Sequence, residues 1–86
     1  MSYFVYILEC KDGSLYTGIT KDVPKRLDEH NTKDTGAKYT KIRRPVKLIY
    51  QENSENRSTA SKREHEIKKF TRVKKLQLIK EASVID

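Results

Sequence analysis

The chain has 86 residues, room for one small domain whose active site would lie on an open face rather than in a deep cavity. Lys and Arg number 19 against 12 Asp and Glu, a net charge of +7, which favours a polyanionic partner, nucleic acid ahead of an acidic membrane surface. Cys10 is the only cysteine, which excludes an intrachain disulfide and leaves no paired ligand set for a structural zinc.

The chain opens on "MSYFVYILEC", which lacks a basic leader and has too short an apolar run for a signal peptide or a membrane span. We therefore expect a cytoplasmic protein in a reducing compartment, with Cys10 packed as a small hydrophobe. Residues 3 to 9 form a short apolar and aromatic run rich in β-formers, which predicts a buried strand. Asp12-Gly13 is a two-residue hairpin signal, because both central positions of that turn need positive φ. Residues 14 to 20, "SLYTGIT", return as a second, antiparallel strand, with Gly18 as its weak point.

Asp22 is a good N-cap and Pro24 is tolerated in a first helical turn, so a helix is predicted from about 23 to 30, ending near Asn31. Val23 and Leu27 make its apolar stripe, and Arg26 and His30 stand four apart on a neighbouring one. Residues 32 to 44 read as a loop in which five of thirteen residues are Lys or Arg. A third strand follows Pro45, with Val46, Leu48 and Tyr50 on one face. The remainder is helical. Ser58 or Ser61 can cap the first of two helices, and Ser61-x-x-Glu64 matches a capping box. Ala60, Ile67 and Phe70 form its core stripe. Thr71 caps the last helix, whose apolar positions Val73, Leu76, Ile79 and Ala82 recur in steps of three. The order β-β-α-β-α-α, three short strands with three helices, predicts a small α+β layer structure. We expect a single domain over residues 1 to 82 and a frayed tail over 83 to 86.

Tyr6, Tyr16, Arg26, His30 and Glu64 could together cut a phosphodiester. That reaction needs a proton acceptor for water, positive charge on the crowded phosphorus and stabilisation of the leaving oxygen. One carboxylate suffices to hold a hydrated Mg²⁺ beside a phosphate. Each residue also has a plainer reading. The tyrosines could be core aromatics, Arg26 and His30 a solvated helix face, and Glu64 the end of the capping box. His65 reads as exposed and incidental. Lys38, Tyr39, Lys41, Arg43 and Arg44 are either phosphate contacts or a solvated loop; a basic loop with an aromatic suits single strands.

"VYI" at 5 to 7 and "YTG" at 16 to 18, followed by "RLDEHN", "GAKYT" and "KREHEIKKF", resemble the small stand-alone branch of the GIY-YIG nuclease superfamily over nearly the whole chain. Val5 replaces the glycine that gives the first half-motif its name. The resemblance implies the GIY-YIG fold, a three-stranded antiparallel sheet flanked by three helices, in agreement with the order above. It also implies a divalent-metal-dependent endonuclease using one Mg²⁺ or Mn²⁺ ion on DNA or RNA, with DNA the better candidate. The alternative is a nucleic-acid-binding module of the same fold with little or no cleavage, and a protein partner could supply specificity. By position the resemblance makes Tyr6 and Tyr16 the motif tyrosines, the second being more often the group that activates water. It makes Arg26 the contact to the scissile phosphate, His30 a position filled by His or Tyr, Glu64 the metal ligand and Gly18 the motif glycine. Gly18 is expected to leave room for a phosphate to approach the backbone. Ile19 stands where some relatives carry a lysine, which makes His30 an alternative base.

Overall fold

A computed structural model describes residues 2–33 and 36–84. Strands β1 (Tyr3–Glu9), β2 (Leu15–Thr20) and β3 (Lys47–Ser54) form one antiparallel sheet in the order β2-β1-β3. The β1–β2 hairpin turns at Gly13, whose φ of 85° is the conformation that glycine enters without steric cost. Asp12 has no positive φ, so the expected two-residue Asp12-Gly13 turn does not form; the Gly13 amide instead donates to the Cys10 carbonyl at 2.9 Å and the Cys10 amide to the Ser14 carbonyl at 2.8 Å, a longer turn. Helices α1 (Val23–Thr32), α2 (Lys38–Lys41), α3 (Arg57–Lys68) and α4 (Arg72–Val84) complete the α+β architecture among the described residues.

The central strand is apolar on both sides, and its alternation divides the core in two. Val5 and Ile7 pack with Ala60 and Ile67 on the α3 side, joined by Phe70, Leu78 and Ile79. Tyr6, Leu8 and Cys10 pack with Val46 and Leu27 on the α1 side. Asp22 caps α1 by accepting from the Lys25 amide at 3.1 Å. At the other end Asn31 exchanges two hydrogen bonds with the backbone of Val46 at 2.7 and 3.0 Å, tying α1 to the approach of β3.

Four further expectations need correction. First, the basic segment between α1 and β3 is not all loop, because Lys38–Lys41 forms a helical turn, α2. Second, α3 is capped by Asn56, whose side chain accepts from the Thr59 amide while the Thr59 hydroxyl pairs with the Asn56 amide. That reciprocal pair is the capping box, and Ser61 and Glu64 lie inside the helix, so Glu64 is not a helix-start device. Third, Val46, Leu48 and Tyr50 do not share a face. Leu48 pairs with Leu8 and Tyr50 with Ile7, so Ile49 is an extra residue in a bulge that reverses the alternation. Fourth, Leu78 and Ile79 carry α4 onto the core, whereas Val73 and Leu76 are 68% and 43% exposed. A strict three-residue step slips about 60° per step against a helix of ~3.6 residues per turn, so the predicted stripe winds around the helix. The helix runs to Val84, and Ile85 and Asp86 of the expected tail lie outside the described residues.

Candidate active site

Tyr6 and Gly18 are directly opposed in the β1–β2 register, and this pair builds the site. A Cβ placed on Gly18 would stand 2.5 Å from the Tyr6 hydroxyl oxygen and 2.7 Å from the carbon that bears it. The ring of Tyr6 therefore lies across β2 in the space that any other residue would fill. The expected opening for a phosphate above Gly18 is not there; the glycine makes room for the tyrosine. Tyr6 is 2% exposed, and burial pushes its hydroxyl up to about 12, with the Arg26 guanidinium pulling the other way and Tyr16 and Glu64 adding to the rise. Groups from β1, β2, α1 and α3 thus act on one hydroxyl.

His30 ends the buried side of α1 and is fully enclosed. Its Nε2 lies 2.8 Å from the Tyr6 hydroxyl and its Nδ1 lies 2.8 Å from Thr40 Oγ1 of α2. Burial first, and then the charge of Arg26, lower the imidazole to about 4, so the ring is neutral at physiological pH. Arg26, one turn earlier, donates to Glu29 at 2.9 Å. Burial opposes its charge, but Glu29 and the Tyr6 hydroxyl outweigh it and hold the guanidinium more firmly ionised than usual.

Tyr16 sits beside this group, half-buried, with its ring edge-on to His30 at 5.2 Å. Tyr39 stacks on Tyr16 at 5.9 Å and is in turn covered by the Arg43 guanidinium at 3.9 Å. Arg43 also holds Asp12 in the hairpin turn at 3.1 Å and the Tyr39 carbonyl at 3.0 Å. Lys38 and Lys41 are exposed on α2. Arg44 stands apart from them. Its guanidinium donates to the carbonyls of His30 and Lys33, each at 2.6 Å, and of Glu29 at 3.4 Å. These carbonyls belong to the end of α1, and Arg44 serves as a side-chain cap there.

Glu64 projects from α3 one turn after Ala60 and three residues before Ile67, both buried. Its partner is Lys68 at 3.4 Å, and the same ammonium lies 6.0 Å from the Tyr16 ring centre. Ile19 packs on the opposite side of the sheet, against the α3–α4 cluster, so α3 rather than β2 brings a cation to Tyr16. No group of three or more His, Cys, Asp or Glu is gathered for a metal among the described residues. A fully protein-bound ion is therefore a poor fit, but a hydrated one fits. The Glu64 side chain is 23% exposed, and its i,i+4 pair with half-exposed Lys68 is worth only about 0.3–0.5 kcal/mol, so the carboxylate can exchange that partner for a cation that keeps most of its waters. An apolar groove of about 440 Å³ at the other end of α1, lined by Phe4, Val23, Pro24, Leu27 and Leu48, contains none of these groups.

Thr40, Glu29 and Lys68 are the residues that sequence reasoning passed over. Thr40 lies in "GAKYT" and Lys68 in "KREHEIKKF", motifs in which only Lys38, Tyr39 and Glu64 carry an expected role.

Residues 2–77 match the GIY-YIG catalytic domain family. A UPF0213 protein of Staphylococcus aureus (strain Mu3 / ATCC 700698) is 64% identical over 80 residues, covering 93% of this chain and 96% of the relative. Two solution NMR structures are also similar, each at 45% identity. The UPF0213 protein BH0048 from Bacillus halodurans has a TM-score of 0.59, over 93% of this chain and 84% of that one. Protein EF2693 from E. faecalis has a TM-score of 0.67, over 98% and 88%.

Proposed function

Since the chain belongs to the GIY-YIG family, a nuclease superfamily, we propose that it is an endonuclease that hydrolyses phosphodiester bonds of nucleic acid with the help of one hydrated Mg²⁺ or Mn²⁺ ion. The observation that carries this reading is the cluster around His30, which lies 2.8 Å from the Tyr6 hydroxyl and 5.2 Å from the Tyr16 ring, with Arg26 one turn away on α1 and the Glu64–Lys68 pair of α3 beside Tyr16. Three chemical roles are needed, and each has one well-placed group. Arg26, ionised and aimed by Glu29, grips the scissile phosphate and offsets the charge that grows on it. Tyr16, in its phenolate form, accepts the proton of the attacking water and ends as the phenol. It is the more accessible motif tyrosine, whereas Tyr6 is 2% exposed and tied to His30. His30 is enclosed with both nitrogens engaged, so it orients Tyr6 rather than meeting water. Glu64 would hold the divalent ion through its waters. When bound, that ion supplies charge neutralisation at the leaving oxygen and a more acidic water.

Lys38, Tyr39 and Lys41 on α2 form the nearby surface for the nucleic-acid strand, with Arg43 backing Tyr39. Arg44 is left out of that surface, because its donors close the end of α1. The single buried thiol, Cys10, fits a reducing cytoplasm. Among the described residues no helix is long and apolar enough to cross a membrane.

The test is cleavage of labelled DNA and RNA, each as single strand, duplex and branch, with Mg²⁺, Mn²⁺ or EDTA. Arg26→Ala and Glu64→Gln are expected to lose about 10²-fold or more in rate while retaining binding. Wild type that binds these substrates yet cuts none faster than the variants would leave a binding module and overturn the nuclease.

A further inference from the structure

We infer that Thr40 is a positioning residue of the reaction centre: it holds His30 as the Nδ1–H tautomer, which turns the Tyr6 proton toward His30 and leaves the Tyr6 oxygen facing Arg26. The assignment follows from counting donors along one buried chain, and both ends of the chain agree.

From one end, the Arg26 charge acts on the Tyr6 hydroxyl, and a guanidinium carries donors only, so Arg26 cannot take the Tyr6 proton. Tyr6 has a single proton and is 2% exposed. With Arg26 unable to accept, the acceptor at hand is His30 Nε2 at 2.8 Å. Were Nε2 protonated, Tyr6 would meet a donor there and its own proton would be stranded in a dry site, at a cost of about 1–3 kcal/mol. Nε2 is therefore bare. The ring is neutral, so its one proton is on Nδ1. From the other end, Thr40 Oγ1 donates to the Ala37 carbonyl at 2.9 Å and has lone pairs left for Nδ1–H at 2.8 Å. The charged groups that act on His30 are Arg26, Glu29 and Arg44; the two arginines oppose protonation and Glu29 favours it, and its ring also meets Tyr6 and Tyr16 edge-on.

The location of Thr40 gives the device its use. Helix α2 is four residues long, with Thr40 fully buried against His30 while Tyr39 is exposed and stacks on Tyr16. One helical turn thus carries surface groups for a nucleic-acid strand and the side chain that sets the hydrogen-bond direction as far as Tyr6. Disturbing α2 misdirects the Tyr6 hydroxyl without touching it.

The kinetic consequence rests on the nuclease reading; the tautomer does not, and the two are separable. Long-range ¹H–¹⁵N spectra of the His30 ring read the tautomer directly. Wild type should show Nδ1 protonated and Nε2 bare. Thr40→Val, which keeps the shape and loses the acceptor, should shift the ring to the other tautomer or a mixture. Thr40→Ser should restore the wild-type pattern. In cleavage assays Thr40→Val should lower kcat by about tenfold to a hundredfold with KM little changed, and Thr40→Ser should recover most of it. An Nε2-protonated wild type overturns the proposal, and needs no variant to fold. So does a folded Thr40→Val protein with unchanged tautomer and rate. A tautomer that responds as expected in a protein that cuts nothing overturns the nuclease reading and the kinetic role with it, while the hydrogen-bond assignment stands.

Discussion

At the scale of single residues, the fold keeps His30 uncharged by enclosing it between Tyr6, Tyr16 and Thr40 with an arginine on either side of its helix turn. The consequence for stability has a definite sign. The folded imidazole titrates near about 4 rather than at the usual 6.5, so below pH 6.5 the unfolded chain binds a proton that the folded chain refuses. Stability attributable to His30 is complete above pH 6.5 and drains away as pH falls toward 4. The loss by pH 4 is roughly 3 kcal/mol. Urea unfolding between pH 7.5 and 4 checks this, with His30→Gln as reference. The wild-type curve should fall more steeply than that of the variant, and parallel curves would show that His30 is not held neutral.

At the scale of elements, the site depends on close approach of two strands. Gly18 has no positive φ to justify it, and its role is to let the Tyr6 ring lie over β2. Gly18→Ala would put a methyl 2.5 Å from a hydroxyl that His30 holds in place, so the ring cannot yield without losing that bond. We expect a destabilisation of about 1–3 kcal/mol, visible in thermal melts, and lost cleavage even in the folded fraction. The helix ends show how far local chemistry can be read. Asp22 was legible as a cap because no rival side chain competes there. At α3, "SENRST" offers several capping residues within a few positions, and the choice of Asn56 follows from where β3 delivers the chain. The phase of α4 and the bulge at Ile49 were illegible for the same kind of reason. Both are set by the surface the element packs against, and the sequence pattern alone is satisfied by either choice.

At the scale of the whole molecule, a net charge of +7 on 86 residues makes salt-sensitive binding of nucleic acid the expected behaviour, whether or not the strand is cut. The charge is unevenly available. Arg26, Arg43, Lys47, Arg63 and Lys68 pair with carboxylates, and Arg44 caps α1, whereas Lys38 is exposed on the helix that stacks against the site. Lys38→Gln should weaken binding of all sequences alike and reduce the slope of log K against log salt by about 1. Arg44→Gln should leave that slope nearly unchanged and lower the melting temperature instead. Fluorescence anisotropy over a salt series distinguishes them, and an equal change of slope in both would remove α2 from the binding surface.

The sequence by itself determined the order of strands and long helices along the chain, the pairing of the first two strands, the helix that carries Arg26 and His30, and the family. Those follow from short-range signals: β-formers in short runs around a glycine turn, capping residues and an ordered set of motifs. Only the tertiary structure decided which of the candidate groups meet water and which meet each other. Burial is a property of the surroundings, and His30 became an enclosed neutral ring because α2, an element hidden in an apparent loop, closes over it. Gly18, read at first as open space, is filled by a tyrosine from the neighbouring strand, because strand pairing sets the two opposite each other.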